Sequence, residues 1–377
     1  MSKAFDFAKC IEGSGNFDGF MLPESSATAA GVPGELRVNN GVVERWSSTD
    51  FVPQWRPIDE DAQPNAYLYY LVIGGGGAGG GQNGGGYHSD GAGGGGAGGY
   101  RTNFGSGNIS GGLSAVEAAF TPSMNTAYTI TVGLGGTASA TQGNSHGTGG
   151  DSTFSTITSL GGGGAASPVA TASSFHGSGG GSGAGGAGRN FGSGGAGTTG
   201  QGFAGGGTNG SNQAAGGGGG AGGVGADGRG TNSSAGGVGG VGIASSITGT
   251  SVFRAGGGGA GGDNNVNGFA GGNGGGGRGG DGRSNQNISA GTDGTGGGGG
   301  GGSSLSAPGA VVGGDGGDGV IILRTVGGLV ARFTAGVTVN GTTVSVDNTA
   351  VAGTSVGSDL LWIITAASSD TITFATS

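Results

Sequence analysis

Apolar residues in the middle of the chain are gathered into short runs, separated by long stretches that lack bulky side chains. The runs lie at residues 67–73, 128–132, 251–254 and 320–325. They are rich in Val, Ile, Tyr and Phe, which favour a pleated and half-buried surface. The pattern therefore predicts four β-strands, with the first and the last enclosing the region poor in bulky residues.

The two ends of the chain carry the pattern of β-hairpins. Near the amino terminus, Leu36 and Val38 alternate with polar residues, and a turn at residues 39–41 precedes Val42 and Val43. Near the carboxyl terminus, valines flank an Asn340-Gly341 turn, and the strand-like segments DLLWIIT and TITF follow. Asn-Gly is the preferred sequence for a tight hairpin turn, so both ends predict small sheets.

Composition divides the chain into three predicted domains. Residues 1–64 contain both lysines and five of the eight prolines, and we expect a β module that serves attachment or trimerisation. Residues 65–326 form a glycine-rich domain, and residues 327–377 lose the glycine and form a second small β module. The amino-terminal module is too short for a large core, so we expect it to pack on a partner.

Glycine accounts for 109 of the 377 residues, and the hydrophobic fraction is only 32%. Collagen would need glycine at every third position and abundant proline, and this chain has neither. The remaining ordered state is the extended threefold helix of polyglycine II, whose amides point outward and can pair with neighbouring helices. The predicted fold is mainly irregular and β, a polyglycine-II bundle bracketed by short strands, with small β modules at both ends and essentially no α-helix.

The charge pattern argues against several partners. The formal net charge is −9, lysine occurs only at Lys3 and Lys9, and no basic stripe could neutralise a phosphate backbone, so no nucleic-acid partner is expected. Cys10 is the only cysteine, and the first ten residues lack the apolar core of a secretory signal. The run at 67–73 is too short to cross a bilayer. These features predict a soluble protein made in a reducing cytoplasm, without membrane insertion.

Two glycine motifs have possible ligands. Gly74-x-Gly76-x-x-Gly79 follows a strand as a dinucleotide fingerprint would, but the glycine after it cannot form the helix that binds a pyrophosphate. GGDGGDGVI, at residues 313–321, fits a calcium-binding nonapeptide, although such repeats bind calcium between tandem copies and this copy is isolated. We expect solvated carboxylates at Asp315 and Asp318, with calcium as the alternative.

No arrangement of residues indicates catalysis. His88, His146 and His176 are far apart in sequence. No nucleophile motif such as G-x-S-x-G stands out together with a residue placed to act as its general base. The expectation is therefore a protein that is not an enzyme and that holds no cofactor or metal.

The order of the sequence blocks resembles a known family. YLYYLVIGGGGAGGG, YTITVGLGG, GTGGDSTFSTITSLGGGG, GGVGIASSITGTSVFRAGGGGAGG and GGDGGDGVIILRT follow one another along residues 65–326. They resemble, in the same order, the glycine-rich domain of bacteriophage tail-fibre and adhesin proteins. PGELRVNNGVVERWSSTDFVPQW likewise resembles a short β module of fibre proteins. The resemblance implies a virion structural protein, assembled in the host cytoplasm, often a homotrimer, that mediates host attachment.

Bulky residues that interrupt the glycine are the candidates for contact with a receptor. Tyr87, His88, Phe175 and His176 lie in segments that least resemble the family blocks, and aromatic side chains suit both proteins and sugars. Tyr100, by contrast, lies in a family-like block and is expected to be structural.

The predicted function is a phage fibre or tail-fibre adhesin. Residues 1–64 would join other virion proteins, and loops would bind a bacterial surface polysaccharide or an outer-membrane protein. The main alternative is a purely structural decoration or head fibre. An ice-binding protein would need a regular Thr or Ala ladder, and a depolymerase would need a carboxylate constellation; the sequence shows neither.

Overall fold

The computed structural model describes the backbone of three strands before residue 58 and most of the chain from residue 67 onward. The described ranges in this second part are 67–81, 90–105, 109–139, 147–168, 175–188, 191–208, 214–229, 236–263, 266–282, 284–304, 311–326 and 329–376. The chain divides into two compact units, Met1–Tyr67 and Leu68–Ser377.

The first unit contains a three-stranded antiparallel sheet in the order β1-β2-β3. Its strands are β1 (Leu36–Asn39), β2 (Val42–Ser47) and β3 (Gln54–Pro57). Asn39 pairs with Val42 across the hairpin, as the alternation of apolar residues predicts.

The described part of the second unit contains fifteen further strands and no α-helix. The strands are β4 (Leu68–Ile73), β5 (Tyr100–Thr102), β6 (Ala127–Thr131), β7 (Ser152–Phe154), β8 (Ile157–Ser159), β9 (Ile243–Ser245), β10 (Val252–Arg254), β11 (Val320–Val326), β12 (Leu329–Phe333), β13 (Thr338–Val339), β14 (Thr342–Thr343), β15 (Thr349–Val351), β16 (Thr354–Val356), β17 (Asp359–Ala366) and β18 (Asp370–Thr376). One turn of 3-10 helix spans Gly111–Leu113. The four strands predicted in the middle of the chain correspond to β4, β6, β10 and β11.

Two antiparallel sheets and one separate strand pair organise this unit. One sheet has the order β14-β13-β17-β11-β4-β5, with β16 also paired to β17, and the other has the order β15-β12-β18-β6-β7-β8. β9 and β10 pair with each other. The predicted boundary at residue 326 lies between β11 and β12. Beyond it, β17 pairs with β11 and β18 pairs with β6, so strands of residues 327–377 and of residues 65–326 share both sheets.

Aromatic side chains fill the space between the two sheets. Tyr70 on β4 lies 6.4 Å from Phe154 on β7, measured between ring centroids, and Phe154 also contacts Phe120 and Tyr128. Trp362 is fully buried, and its Nε1 donates to the carbonyl of Val351 at 2.9 Å. This apolar core belongs to the strands, and the glycine segments are ordered by a different interaction.

The glycine segments are polyglycine-II helices, as predicted. Successive amides of residues 74–80 donate to three neighbouring segments in rotation, returning to each segment at every third residue. The pairs are Gly74–Gly99, Gly77–Gly96 and Gly80–Gly93, then Gly75–Gly150 and Ala78–Gly147, then Gly76–Gly317 and Gly79–Gly314. A period of three residues with lateral bonds in three directions is the geometry of this helix. Backbone hydrogen bonds therefore hold the bundle together.

The same rotation recurs in the other inner helices. In residues 256–262, Gly256, Gly259 and Gly262 donate to one neighbour, while Gly258 and Gly261 donate to another. The second neighbour is residues 92–95, which run antiparallel. Close approach of the backbones requires glycine, because a Cβ on Gly258 would overlap the carbonyl oxygen of Gly299.

Outer helices use side chains to replace a missing neighbour. Asp315 Oδ1 accepts from the amide of Ala138 at 2.6 Å, and Asp318 Oδ1 accepts from the amide of Gly135 at 2.8 Å. The two carboxylates are three residues apart and so lie on one side of a threefold helix. This gives the GGDGGDG repeat a structural role, in which each carboxylate stands in for a backbone carbonyl.

Candidate binding surface at the loop end of the glycine bundle

The glycine helices have two distinct ends. At one end, which we call the strand end, helices continue into β4, β5 and β10. At the other, which we call the loop end, lateral hydrogen bonds join neighbouring helix termini among the described residues. These bonds are Gly302–Gly80, Ala92–Gly302, Gly188–Gly91, Thr208–Gly192, Gly228–Gly207 and Gly262–Gly280. The described residues that flank 82–89, 140–146, 169–174, 189–190, 209–213, 230–235, 264–265 and 305–310 all lie at the loop end.

Two of the four predicted contact residues can be placed. Tyr87 and His88 lie outside the described residues. Phe175 is 2% exposed and packs with Ala166 and Ala187, so its ring fills the base of the loop end. His176, the next residue, is exposed.

The His176 ring is held by Ser193 on a neighbouring helix. The Ser193 amide donates to Nδ1 at 3.1 Å, and Ser193 Oγ lies 2.8 Å from the same nitrogen. Because Nδ1 accepts the amide hydrogen, the neutral imidazole carries its proton on Nε2. The ring therefore has a fixed position and one donor left for a ligand.

Phe191 is the most exposed aromatic side chain in the described part of the loop end. Its ring is 65% exposed, and its φ of 57° lies in the left-handed region, which is unusual for an aromatic residue. Phe191 precedes Ser193 by two residues, so we define the His176–Phe191 patch as His176, Phe191 and Ser193. Phe191 is not among the four contact residues predicted from the sequence, because spacing alone does not show which rings face solvent.

A shallow groove lies across one intervening helix from this patch. It has a volume of about 570 Å³, and Val224, Ala226, Asp227 and Arg229 contribute to its lining. Val224 is 63% exposed, and Asp227 Oδ1 accepts from the amide of Gly207 at 2.9 Å. The groove therefore combines apolar surface, a fixed carboxylate and an arginine.

A network around Asp281 stabilises another part of the loop end. Its Oδ1 accepts from Arg278 Nη2 at 2.6 Å and from the Gly268 amide at 2.8 Å, and its Oδ2 accepts from Asn287 Nδ2 at 2.6 Å. Burial acts to raise the pKa of Asp281, but the hydrogen bonds from Arg278, Asn287 and Gly268 outweigh it and the pKa is lowered. Asp281 is therefore a structural anion that joins three segments of the bundle.

The described residues bring together no group of three or more His, Cys, Asp or Glu side chains that could hold a metal ion. Within the same part of the chain, no helix has the length and hydrophobicity needed to span a bilayer. What the loop end offers is an aromatic ring, an imidazole, hydroxyl groups and backbone amides, which are the groups used for recognition of sugars and polar protein surfaces.

Residues 60–326 match the family model described as a glycine-rich domain. No curated protein and no solved structure matches the chain at a significant level.

Proposed function

The chain belongs to the family of proteins with a glycine-rich domain, and we propose that it is a bacteriophage tail-fibre adhesin. The observation that carries the proposal is the loop end, where helix termini from along the whole glycine region converge and present the His176–Phe191 patch. The order of the sequence blocks, which resembles that of tail-fibre and adhesin proteins, supports the same function.

The architecture suits attachment to a cell surface. The amides of each inner helix donate to three neighbouring segments and its carbonyls accept from others, so the body that carries the loop end has little conformational freedom to lose. A pre-organised surface binds without a large ordering cost. Loops that vary in sequence can then change the receptor while the glycine helices stay the same.

The proposed partners follow from this role. Residues 1–64 join the protein to other virion proteins, the chain assembles as a homotrimer on the virion, and the loop end binds a bacterial surface polysaccharide or outer-membrane protein. The second candidate is a decoration or head fibre without a receptor. The wide exposure of Phe191 at the loop end favours the adhesin, because a purely structural protein has no use for an exposed ring held in an unfavourable backbone conformation.

Cell binding tests the proposal. The purified chain, labelled at its single cysteine, Cys10, is applied to a panel of bacterial strains and measured by flow cytometry. We expect binding to a subset of strains, and a loss of about tenfold or more when His176→Ala and Phe191→Ala are combined, since anchors of this type contribute about 2 kcal/mol or more.

Phe253→Ala is the matched control for this experiment. Phe253 is 43% exposed on β10, at the strand end. Its replacement by alanine is expected to leave cell binding unchanged. Absence of binding to every strain would favour the decoration fibre. Strain-specific binding that survives the double substitution would move the receptor site away from the His176–Phe191 patch.

A further inference from the structure

Arg254 is a buried arginine at the strand end of the glycine bundle. It ends β10 and is 8% exposed, and it lies near Tyr100, which is 0% exposed, and Ser245, which is 5% exposed. In the β9–β10 pair, Arg254 is opposite Ile243 and Val252 is opposite Ser245. Since side chains alternate along a strand, Arg254 and Ser245 are on the same face of this pair.

Two buried side-chain atoms of this cluster have no hydrogen-bond partner. Arg254 Nη1 and Tyr100 Oη are both buried and have no hydrogen-bond partner. Ser245 Oγ accepts from the Ile247 amide at 3.3 Å, which leaves its own hydrogen to donate. Burial raises the pKa of Tyr100 to about 12, while Ser245 and Arg254 act to lower it, so the phenol is protonated and can donate at neutral pH.

The positive charge of Arg254 also lacks the partner that comparable arginines have. Arg101, Arg278 and Arg324 each form an ion pair, with Glu117, Asp281 and Asp359 respectively. The only ionisable group found to act on Arg254, among the described residues, is Tyr100, and burial lowers the pKa of the guanidinium. A buried charge without a counter-charge is strongly unfavourable.

We propose that Arg254, Tyr100 and Ser245 form a binding site for a chloride ion. The three groups supply N–H and O–H donors and one positive charge, so the ligand must accept hydrogen bonds and be an anion. The burial of all three side chains restricts the ligand to a small size, and a halide accepts several donors without a preferred direction. A water molecule would accept the hydrogen bonds but would leave the charge uncompensated.

Chloride at this position links two parts of the fold. Arg254 and Ser245 belong to the β9–β10 pair, and Tyr100 belongs to β5, which pairs with β4 in the sheet that also contains β11 and β17. The ion therefore stabilises the junction between the glycine helices and the strands, and its binding is coupled to folding.

Thermal unfolding of the full chain in chloride and in gluconate, at equal ionic strength, tests the site. We expect the Tm to be higher by about 1–3 °C in chloride, because an ion that binds only the folded state raises its stability. Arg254→Met is expected to abolish this difference, and Tyr100→Phe to reduce it. Arg332→Met, which changes an arginine bonded to the carbonyl of Asn348, is expected to keep it.

Bromide provides a direct test of the anion site in the unaltered protein. This test remains decisive if Arg254→Met fails to fold. Crystals grown with bromide should show an anomalous peak in contact with Arg254 Nη1 and Tyr100 Oη. A water molecule there instead of bromide would overturn the proposal. So would a Tm that is the same in both salts, or a chloride effect that persists in Arg254→Met.

Discussion

Replacing Gly258 with alanine is expected to abolish stable folding of the glycine bundle, at a cost of more than about 4 kcal/mol. The Gly258 amide donates to Gly95 at 2.8 Å, and its carbonyl accepts from Gly218 at 2.8 Å. An added Cβ would overlap the carbonyl oxygen of Gly299, and the helix cannot move away because neighbours bond it on its other sides. Chemical denaturation of both proteins, followed by circular dichroism, measures the decrease in the free energy of unfolding.

Gly179→Ala is the matched control for this substitution. Gly179 is exposed, and a Cβ there would lie 3.3 Å from Ala196 O, with the next atom 3.9 Å away. Its effect on the free energy of unfolding should stay within about 1 kcal/mol, with some gain from the lower entropy of the unfolded chain. Equal effects of the two substitutions would show that close backbone packing does not hold the bundle together.

Replacing Asp359 with alanine is expected to lower the free energy of unfolding by about 3–5 kcal/mol. Asp359 Oδ2 accepts from Arg324 Nε at 2.7 Å, and the two side chains are only 7% and 10% exposed. Arg324 also donates to the carbonyl of Ile247 at 3.1 Å and lies 5.4 Å above the centre of the Phe104 ring. Loss of the carboxylate would leave the Arg324 guanidinium as an unpaired buried cation between β11 and the turn that joins β9 to β10.

The double variant Asp359→Ala with Arg324→Met separates the cost of a lone charge from the loss of packing. Because no unpaired cation remains, we expect the double variant to be more stable than Asp359→Ala alone. Differential scanning calorimetry of the unaltered protein, Asp359→Ala, Arg324→Met and the double variant measures the change in stability. A double variant that loses the sum of the two single effects would mean that the two residues do not act as a pair.

Local pattern was enough to predict four strands in the middle of the chain, but it missed the short strands β5, β7, β8 and β9. The runs at 67–73 and 320–325 appear as Leu68–Ile73 and Val320–Val326, since β-branched and aromatic runs between glycines have few other ways to order. The exclusion of collagen likewise left polyglycine II as the ordered state for the glycine helices. In both cases the cause lies within a few residues along the chain.

Features that depend on long-range pairing could not be predicted. Nothing in the spacing shows that β17 pairs with β11 or that β18 pairs with β6, because both pairings form only when the chain ends meet the glycine region. A threefold helix also shows no inward face until its neighbours are known. For that reason Phe175 and Phe191 look equivalent in the sequence, whereas one is buried and the other is exposed.

Hydrogen–deuterium exchange tests the central claim most directly, namely that lateral backbone bonds order the glycine region into a rigid carrier of the loop end. Every amide of residues 74–80, 92–99 and 256–262 donates a hydrogen bond to a neighbouring segment. We expect these amides to exchange as slowly as those of β11 and β17. Peptides from these segments that exchange within seconds, as an unstructured glycine linker does, would contradict the account.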